Sequence, residues 1–456
     1  MSKKELTIEI IAEVTGGRFV GDVALKSRAV HGAVRDNREV KAGNLFVCFR
    51  GERVDGHDFA NKAFEAGAAC CLAEREIEAP EGPYVLVEST AAALKKLGGY
   101  YRRLFDIPVI GITGSVGKTT AKEMVYSVLS AKLNVLKTPE NLNNEIGVPL
   151  TLLSLTESHE AAVIEMGISE FGEMRRLSEM ARPDICLITQ IGYCHLETLG
   201  DLDGVLRAKS EIFEFMPDGA TAVLNGDDEL LRAANPGFKK ITFGTQPESD
   251  CRVENIISAD KSSVSCDLVL PDAKFSVEIP SFGSHLAFSA LPAAIIGVLL
   301  GLSLDEIRSG IASFSPVGSR SRIIETGQIT VIDDCYNANP NSVKASIKSL
   351  GKLRGRRVAV LGDMKELGRR ADELHREIGV CIAENGIDCL VCCGAKAEYI
   401  FKGLKSTGSE TEAYHFPMMD ALLSTIHTIV RPGDNVLVKA SHSMNFEKIT
   451  ETLIKL

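Results

Sequence analysis

A chain of 456 residues, 45% hydrophobic and 25% charged, is too long for one ordinary core and too apolar for disorder, so two or three packed domains are expected. Its net charge of -10 and pI near 5.6 exclude a broad nucleic-acid face, which needs clustered Lys and Arg to displace counterions. A local basic pocket for an anionic small molecule remains open.

The N-terminal stretch MSKKELTIEIIAEVTGG alternates acidic and apolar residues and lacks the continuous apolar segment of a signal peptide. The most apolar run, ALPAAIIGVLLGL at 290–302, is too short to span a bilayer. A cytoplasmic protein without membrane insertion is therefore expected. Residues 1–100 alternate extended and helical stretches and predict a small α/β domain. DIPVIGIT then reads as an apolar strand, Gly111 to Gly117 as a tight turn, and KTTAKEMVYSVLSAKL as an amphipathic helix. AAVIEMG, PDICLITQI and TAVLNG are further strands, each followed by a helical stretch, the rhythm of a parallel sheet with crossover helices. The stretch CRVENIISADKSSVSCDLVLPDAKFSVEIPSFG alternates apolar and polar residues and predicts an antiparallel appendage. Helices near 285–302 and 303–314 close a unit spanning 101–316. Over 317–456, ITVIDDCYN, RRVAVLGDM, DCLVCCG and DNVLVKAS again alternate with helices, as in a Rossmann-like domain. The expected fold class is thus α/β in three domains, the central one a P-loop parallel-sheet ATPase.

Twelve cysteines in so long a chain do not read as a disulfide framework. Cys389, Cys392 and Cys393 mimic a CxxC pair, but residues three apart on a strand face opposite ways, so buried thiols are expected, as for Cys70 and Cys71.

Chemistry concentrates after the strands. In GITGSVGKTTAKE, residues 111–123, the usual phosphate-loop spacing calls for a glycine at Ile112, whereas the glycines are Gly111, Gly114 and Gly117. The order strand, glycine loop, helix is nonetheless the setting in which backbone N–H groups and a helix dipole hold phosphate. Lys118 then reaches the outer phosphates, and the Thr119 hydroxyl is an expected Mg2+ ligand. Glu165 ends the next strand, from which an acid is supplied to the metal. His195 and Glu197 follow a third strand, on the edge where open parallel sheets bind ligands. Lys209, in GVLRAKSEIFEFM, reads from pattern alone as a solvated helix residue.

These stretches together resemble the Mur ligases, the ATP-dependent amide-forming enzymes of peptidoglycan assembly. That family's loop has the spacing TGSVGKT, which accounts for the shifted glycine. The long stretches LFVCFRGERVDGHDF, NLNNEIGVPLTLL at 141–153, DDCYNANP at 333–340 and LGDMKELG at 361–368, with HLETLG and AKSEIF, spread the resemblance over nearly the whole chain. They are similar to the members that join D-alanyl-D-alanine to UDP-N-acetylmuramoyl-tripeptide. The resemblance implies a monomer with a UDP-substrate domain at 1–100, an ATP domain at 101–316 and a closing domain at 317–456. It implies a nucleotide cradle of Gly114, Ser115, Gly117, Lys118, Thr119 and Thr120, with Tyr336, Asn337, Asn339 and Arg320 or Arg322 approaching the nucleotide from the last domain. A carbamylated Lys209 would join His195 and Glu165 around a second Mg2+, since a carbamate turns a cation into an oxygen ligand. Asn143 and Asn144 are implied near the phosphates and substrate, and Asn37 and Arg38 in substrate binding. The chain departs from the family at GSHLAFSA, where Leu286 and Ser289 replace asparagines, at KASHSMNFE, where His442 replaces an arginine, and at DNR in place of DSR. These departures leave two alternatives beside the ligase: a family member ligating a different amine, and a nucleotide-binding module without ligation.

Overall fold

The computed structural model describes residues 5–51, 54–259 and 263–456. The first four residues, Glu52 and Arg53 of LFVCFRGERVDGHDF, and residues 260–262 of the expected appendage lie outside that description.

Three main sheets follow one another along the chain. The first has five short strands, in the order Arg18–Val20, Tyr84–Leu86, Cys70–Ala73, Leu45–Val47 and Ala33–Val34, antiparallel only at its Arg18–Val20 edge. The third has six, with Arg322–Glu325 antiparallel to Thr330–Asp333 and the others parallel: Asn435–Lys439, Arg357–Gly362, Cys389–Cys393 and Glu412–Phe416. Nine strands form the central sheet. Seven are parallel, ordered Val135–Lys137, Ala161–Glu165, Val109–Thr113, Ile185–Ile188, Thr221–Asn225, Lys239–Gly244 and Cys251–Ala259. Ser263–Leu270 and Ala273–Ile279 extend that sheet antiparallel, as the alternation of the appendage predicts.

The central strands read as unbroken apolar runs because both faces of the sheet are covered. Ile110, Ile112, Val163 and Leu187 pack into one core, and Val109, Ala162, Ile164, Cys186 and Ile188 into the other. The same logic settles the cysteines. Cys389 and Cys393 point into one core of the third sheet and Cys392 into the other, and eleven of the twelve free cysteines are buried. Burial pushes the Cys389 thiol up to about 12 and Cys393 to about 11, so these are inert packing groups.

The expected helices near 285–302 and 303–314 appear as a short turn, Ser284–Leu286, leading into Ala287–Leu299, and as Leu304–Ala312, which Ser303 and Glu306 start with reciprocal capping bonds. Among the described residues no helix is long and apolar enough to cross a membrane. Four strands escape the sequence pattern: Val135–Lys137, Lys239–Gly244, Arg322–Glu325 and Glu412–Phe416. Val135–Lys137, Arg322–Glu325 and Glu412–Phe416 lie at sheet edges, and Lys239–Gly244, though paired on both sides, starts partly exposed, so in each the apolar run is interrupted.

Strand order positions the site. After Val109–Thr113 the chain adds strands on one side, up to Ala161–Glu165, and from Ile185–Ile188 onward it adds them on the other. The ends of these three strands thus diverge around one crevice, where open α/β sheets bind ligands.

Candidate nucleotide and metal site

Val109–Thr113 runs into the helix Lys118–Leu129 through a loop whose Gly114 and Gly117 have φ of +144° and +80°. Both values lie where side chains are rarely tolerated, and a Cβ at Gly114 would also collide with the Thr189 side chain. No side chain caps the N-terminus of this helix. Its first N–H groups, with the dipole behind them, therefore face the crevice. The Lys118 ammonium lies over the loop, 2.8 Å from the Gly114 carbonyl oxygen. Ser115 plays a different part from its neighbours. Its N–H donates to the Gln190 carbonyl at 2.8 Å and its hydroxyl to that of Gly192 at 3.1 Å, so it ties the loop to the segment after the third strand.

Glu165 converges on the same helix. It is 1% exposed, and its Oε1 accepts from the Thr119 hydroxyl at 3.1 Å and from Asn143 Nδ2 at 2.7 Å. Its Oε2 is buried without a hydrogen-bond partner, and lies 3.6 Å from the Lys122 ammonium. A hydroxyl beside a buried, under-coordinated carboxylate is a set of hard oxygen donors, which fits Mg2+ and not a soft metal. Among the described residues no three His, Cys, Asp or Glu side chains gather into a ligand cluster by themselves.

Lys209 overturns its pattern reading. The helix Leu202–Ser210 presents it inward, 1% exposed, rather than to solvent. Burial and the nearby Lys118 charge pull its pKa down to about 8, with Cys194 acting in the opposite direction. Val205 and Ala208 of this helix join the core on one face of the central sheet, neighbouring helices including Glu173–Ala181 and Glu229–Ala233 pack on it, and Lys209 is buried with them. His195, in left-handed backbone geometry with φ +51°, donates its Nδ1–H to Glu366 Oε2 at 2.6 Å, and the Leu196 N–H donates to the Glu366 carbonyl at 3.1 Å. Glu366 belongs to LGDMKELG in the third sheet's unit, and this pairing holds its carboxyl below the usual range.

The C-terminal segment closes over the loop. Asn339 caps the helix Pro340–Gly351, and its Nδ2 lies 3.4 Å from the Ser115 carbonyl oxygen. Arg320 stacks on the Tyr336 ring at 3.6 Å and lines a small cavity with Thr119, Thr120, His285 and Ser321. His285 is half-buried there, its Nδ1 buried and unpartnered, and desolvation lowers its pKa. Asn337 accepts from its own neighbour, the Ala338 N–H, at 2.9 Å. Arg322 opens the edge strand of the third sheet.

Other expected residues are occupied elsewhere. Asn144 accepts from the N–H groups of Ile146 and Gly147, starting the helix Gly147–Leu152. Arg38 is exposed and clasps Asp36, with Asn37 between them in a short turn of the first sheet's unit. Two participants escaped the sequence reading, Lys122 and Glu366. The signal for Lys122 was its place one helical turn after Lys118 in an otherwise buried helix; for Glu366 nothing local distinguishes it.

Comparison with known proteins fits this geometry. The Mur ligase middle domain matches residues 112–297, the Mur ligase glutamate ligase domain 319–442, and the Mur ligase catalytic domain 29–110. A UDP-N-acetylmuramoyl-tripeptide–D-alanyl-D-alanine ligase of Bacillus subtilis is 34% identical, with 98% of both chains covered. The chain belongs to the Mur ligase family. A ligase of the same description from Escherichia coli is 33% identical over 98% of each chain. Among solved Mur ligases, MurF from Acinetobacter baumannii superposes with a TM-score of 0.89 at 30% identity, covering 99% of both chains. MurF from Thermotoga maritima in complex with ADP gives 0.82 at 31% identity, covering 93% of this chain and 97% of that one.

Proposed function

We propose that the chain is an ATP-dependent ligase that joins D-alanyl-D-alanine to UDP-N-acetylmuramoyl-tripeptide in peptidoglycan precursor synthesis. The observation that carries the chemistry is the meeting of Lys118, Thr119 and Glu165 at an uncapped helix N-terminus in the strand crevice. The substrates come from the full-length relatives named for that reaction.

In this reading the loop N–H groups and Lys118 hold the phosphates of ATP. Thr119 would hold one Mg2+, and Glu165, His195 and a carbamylated Lys209 would hold a second; bound there, the ions would supply charge neutralisation on the transferring group. The tripeptide carboxylate attacks the γ-phosphorus, the bond to the bridging oxygen breaks, and ADP leaves. The free amine of D-alanyl-D-alanine then attacks the acyl carbon of the acyl phosphate, inorganic phosphate departs, and the nitrogen loses its proton. Lys118 stays beside the charge that develops on the γ-phosphoryl oxygens, and water is kept out when Asn339, Tyr336 and Arg320 cover the loop. The lowered Lys209 pKa supports the carbamate, because CO2 adds to a neutral amine. Residues 1–100 would carry the UDP-substrate, with Asn37, Arg38, Asn143 and Asn144 toward it, 101–316 the ATP, and 317–456 the closing unit of a cytoplasmic monomer.

A coupled phosphate assay tests the whole reading. Phosphate is expected only when ATP, the UDP-linked tripeptide and the dipeptide are all present; release with neither acceptor nor carboxylate substrate would refute it. A panel of other amines separates it from a ligase of different acceptor choice.

A further inference from the structure

We propose that Lys122 is a positioning residue that fixes Glu165 and the Asn143 segment in metal-binding geometry before the ion arrives. The inference rests on Glu165 being a metal ligand. Lys122 lies one turn beyond Lys118 on the same helix, so it projects from the face that carries the site. Its ammonium is fully buried and surrounded by oxygen: the carbonyls of Thr138 and Glu140 at 2.9 Å each, Glu123 Oε1 at 3.2 Å and Glu165 Oε2 at 3.6 Å.

These contacts hold the carboxylate from both sides. Directly, Lys122 is the only cation paired with Glu165 among the described residues, since Lys137 sits on the other oxygen of Glu123 at 2.5 Å. Indirectly, it grips Glu140, a non-glycine residue in left-handed geometry at φ +43°, from which the chain turns toward Asn143 and its 2.7 Å bond to Glu165 Oε1. Two cations and two carboxylates balance in this buried group, so Glu165 is compensated without a metal. Removal of the Lys122 charge leaves a buried carboxylate uncompensated and frees the turn that aims Asn143. An outer partner of this kind is worth about 10- to 100-fold in metal affinity.

The test uses the full chain with ADP bound and Mn2+ as the probe, read by electron paramagnetic resonance. Lys122→Met and Lys122→Gln are expected to bind ADP without metal to within about threefold of the parent, while Mn2+ affinity of the ADP complex falls about tenfold or more. Steady-state rates should split the same way, with kcat falling and KM for ATP little changed. Lys122→Arg, which keeps the cation, should recover most of the lost Mn2+ affinity. Parental or tighter Mn2+ binding in either folded neutral variant would overturn the proposal, as would failure of both to fold, which marks a purely structural lysine. Glu165→Gln is the control: if it too binds Mn2+ normally, the metal assignment itself fails, whereas its loss alone condemns only the role of Lys122.

Discussion

Two strand–glycine–helix turns of the chain differ in one respect: the first is open to an anion and the second is not. Val109–Thr113 passes through Gly114 into Lys118–Leu129; Cys389–Cys393 passes through Gly394 into Ala397–Ser406. Both glycines have positive φ, +144° and +124°. At the second turn Asp363, just past the end of the neighbouring strand, accepts from the N–H groups of Lys396 and Ala397 at 2.9 and 2.8 Å, and a Cβ on Gly394 would strike it. At the first turn the neighbouring strand ends in Glu165, which bonds the Thr119 hydroxyl and leaves the helix N–H groups alone. A helix N-terminus is therefore a phosphate site only where the fold keeps its own carboxylates off it.

The largest way to break this contrast is Lys209→Ala. Ligation is expected to fall by about 1,000-fold or more while circular dichroism shows a folded protein, and Lys209→Arg should not restore it, since a guanidinium cannot become a carbamate. Full activity in the Ala variant would remove the carbamate and leave the phosphate loop standing. Lys118→Ala acts on the open turn itself, and a loss of about 100- to 1,000-fold in kcat is expected from removing one charge beside the transferring group. On the closed turn Asp363→Ala should instead cost about 1–3 kcal/mol of stability, measured by urea unfolding, because it leaves buried N–H groups unpaired. The stoichiometry of ADP binding should not change, and a second bound ADP would show that Asp363 alone kept that turn closed.

The smallest effect is on pH. Burial lowers the pKa of both His285 and His375, one beside the open turn and one holding the LGDMKELG loop through the Met364 N–H. Below about 6.5 the unfolded chain takes up protons on these histidines that the folded chain refuses, so stability should decline as pH falls through that value. Thermal midpoints at pH 7.5 and 5.5 measure the decline, and His375→Gln should shrink it. A midpoint that does not move would place both rings in contact with water.

The family, the α/β architecture and the phosphate loop are legible in the sequence because each depends on local pattern: apolar strands covered on both faces, glycines at positive φ, and a lysine and threonine opening a helix. Buried thiols are legible for the same reason, since alternation along a strand dictates which faces Cys389, Cys392 and Cys393 meet. The burial of Lys209 is not legible from pattern, because a helix surface is solvated or covered according to what packs on it, and that partner lies elsewhere in the chain. Lys122, Glu366 and Asp363 are of the same kind. Each is an ordinary charged residue in its own segment, and its role comes from carbonyls, a histidine or a helix end delivered from another strand or sheet. Local sequence sets backbone geometry through sterics and hydrogen bonding over a few residues, whereas the environment of a charge is set by desolvation and by neighbours that only the tertiary fold brings within a few ångströms.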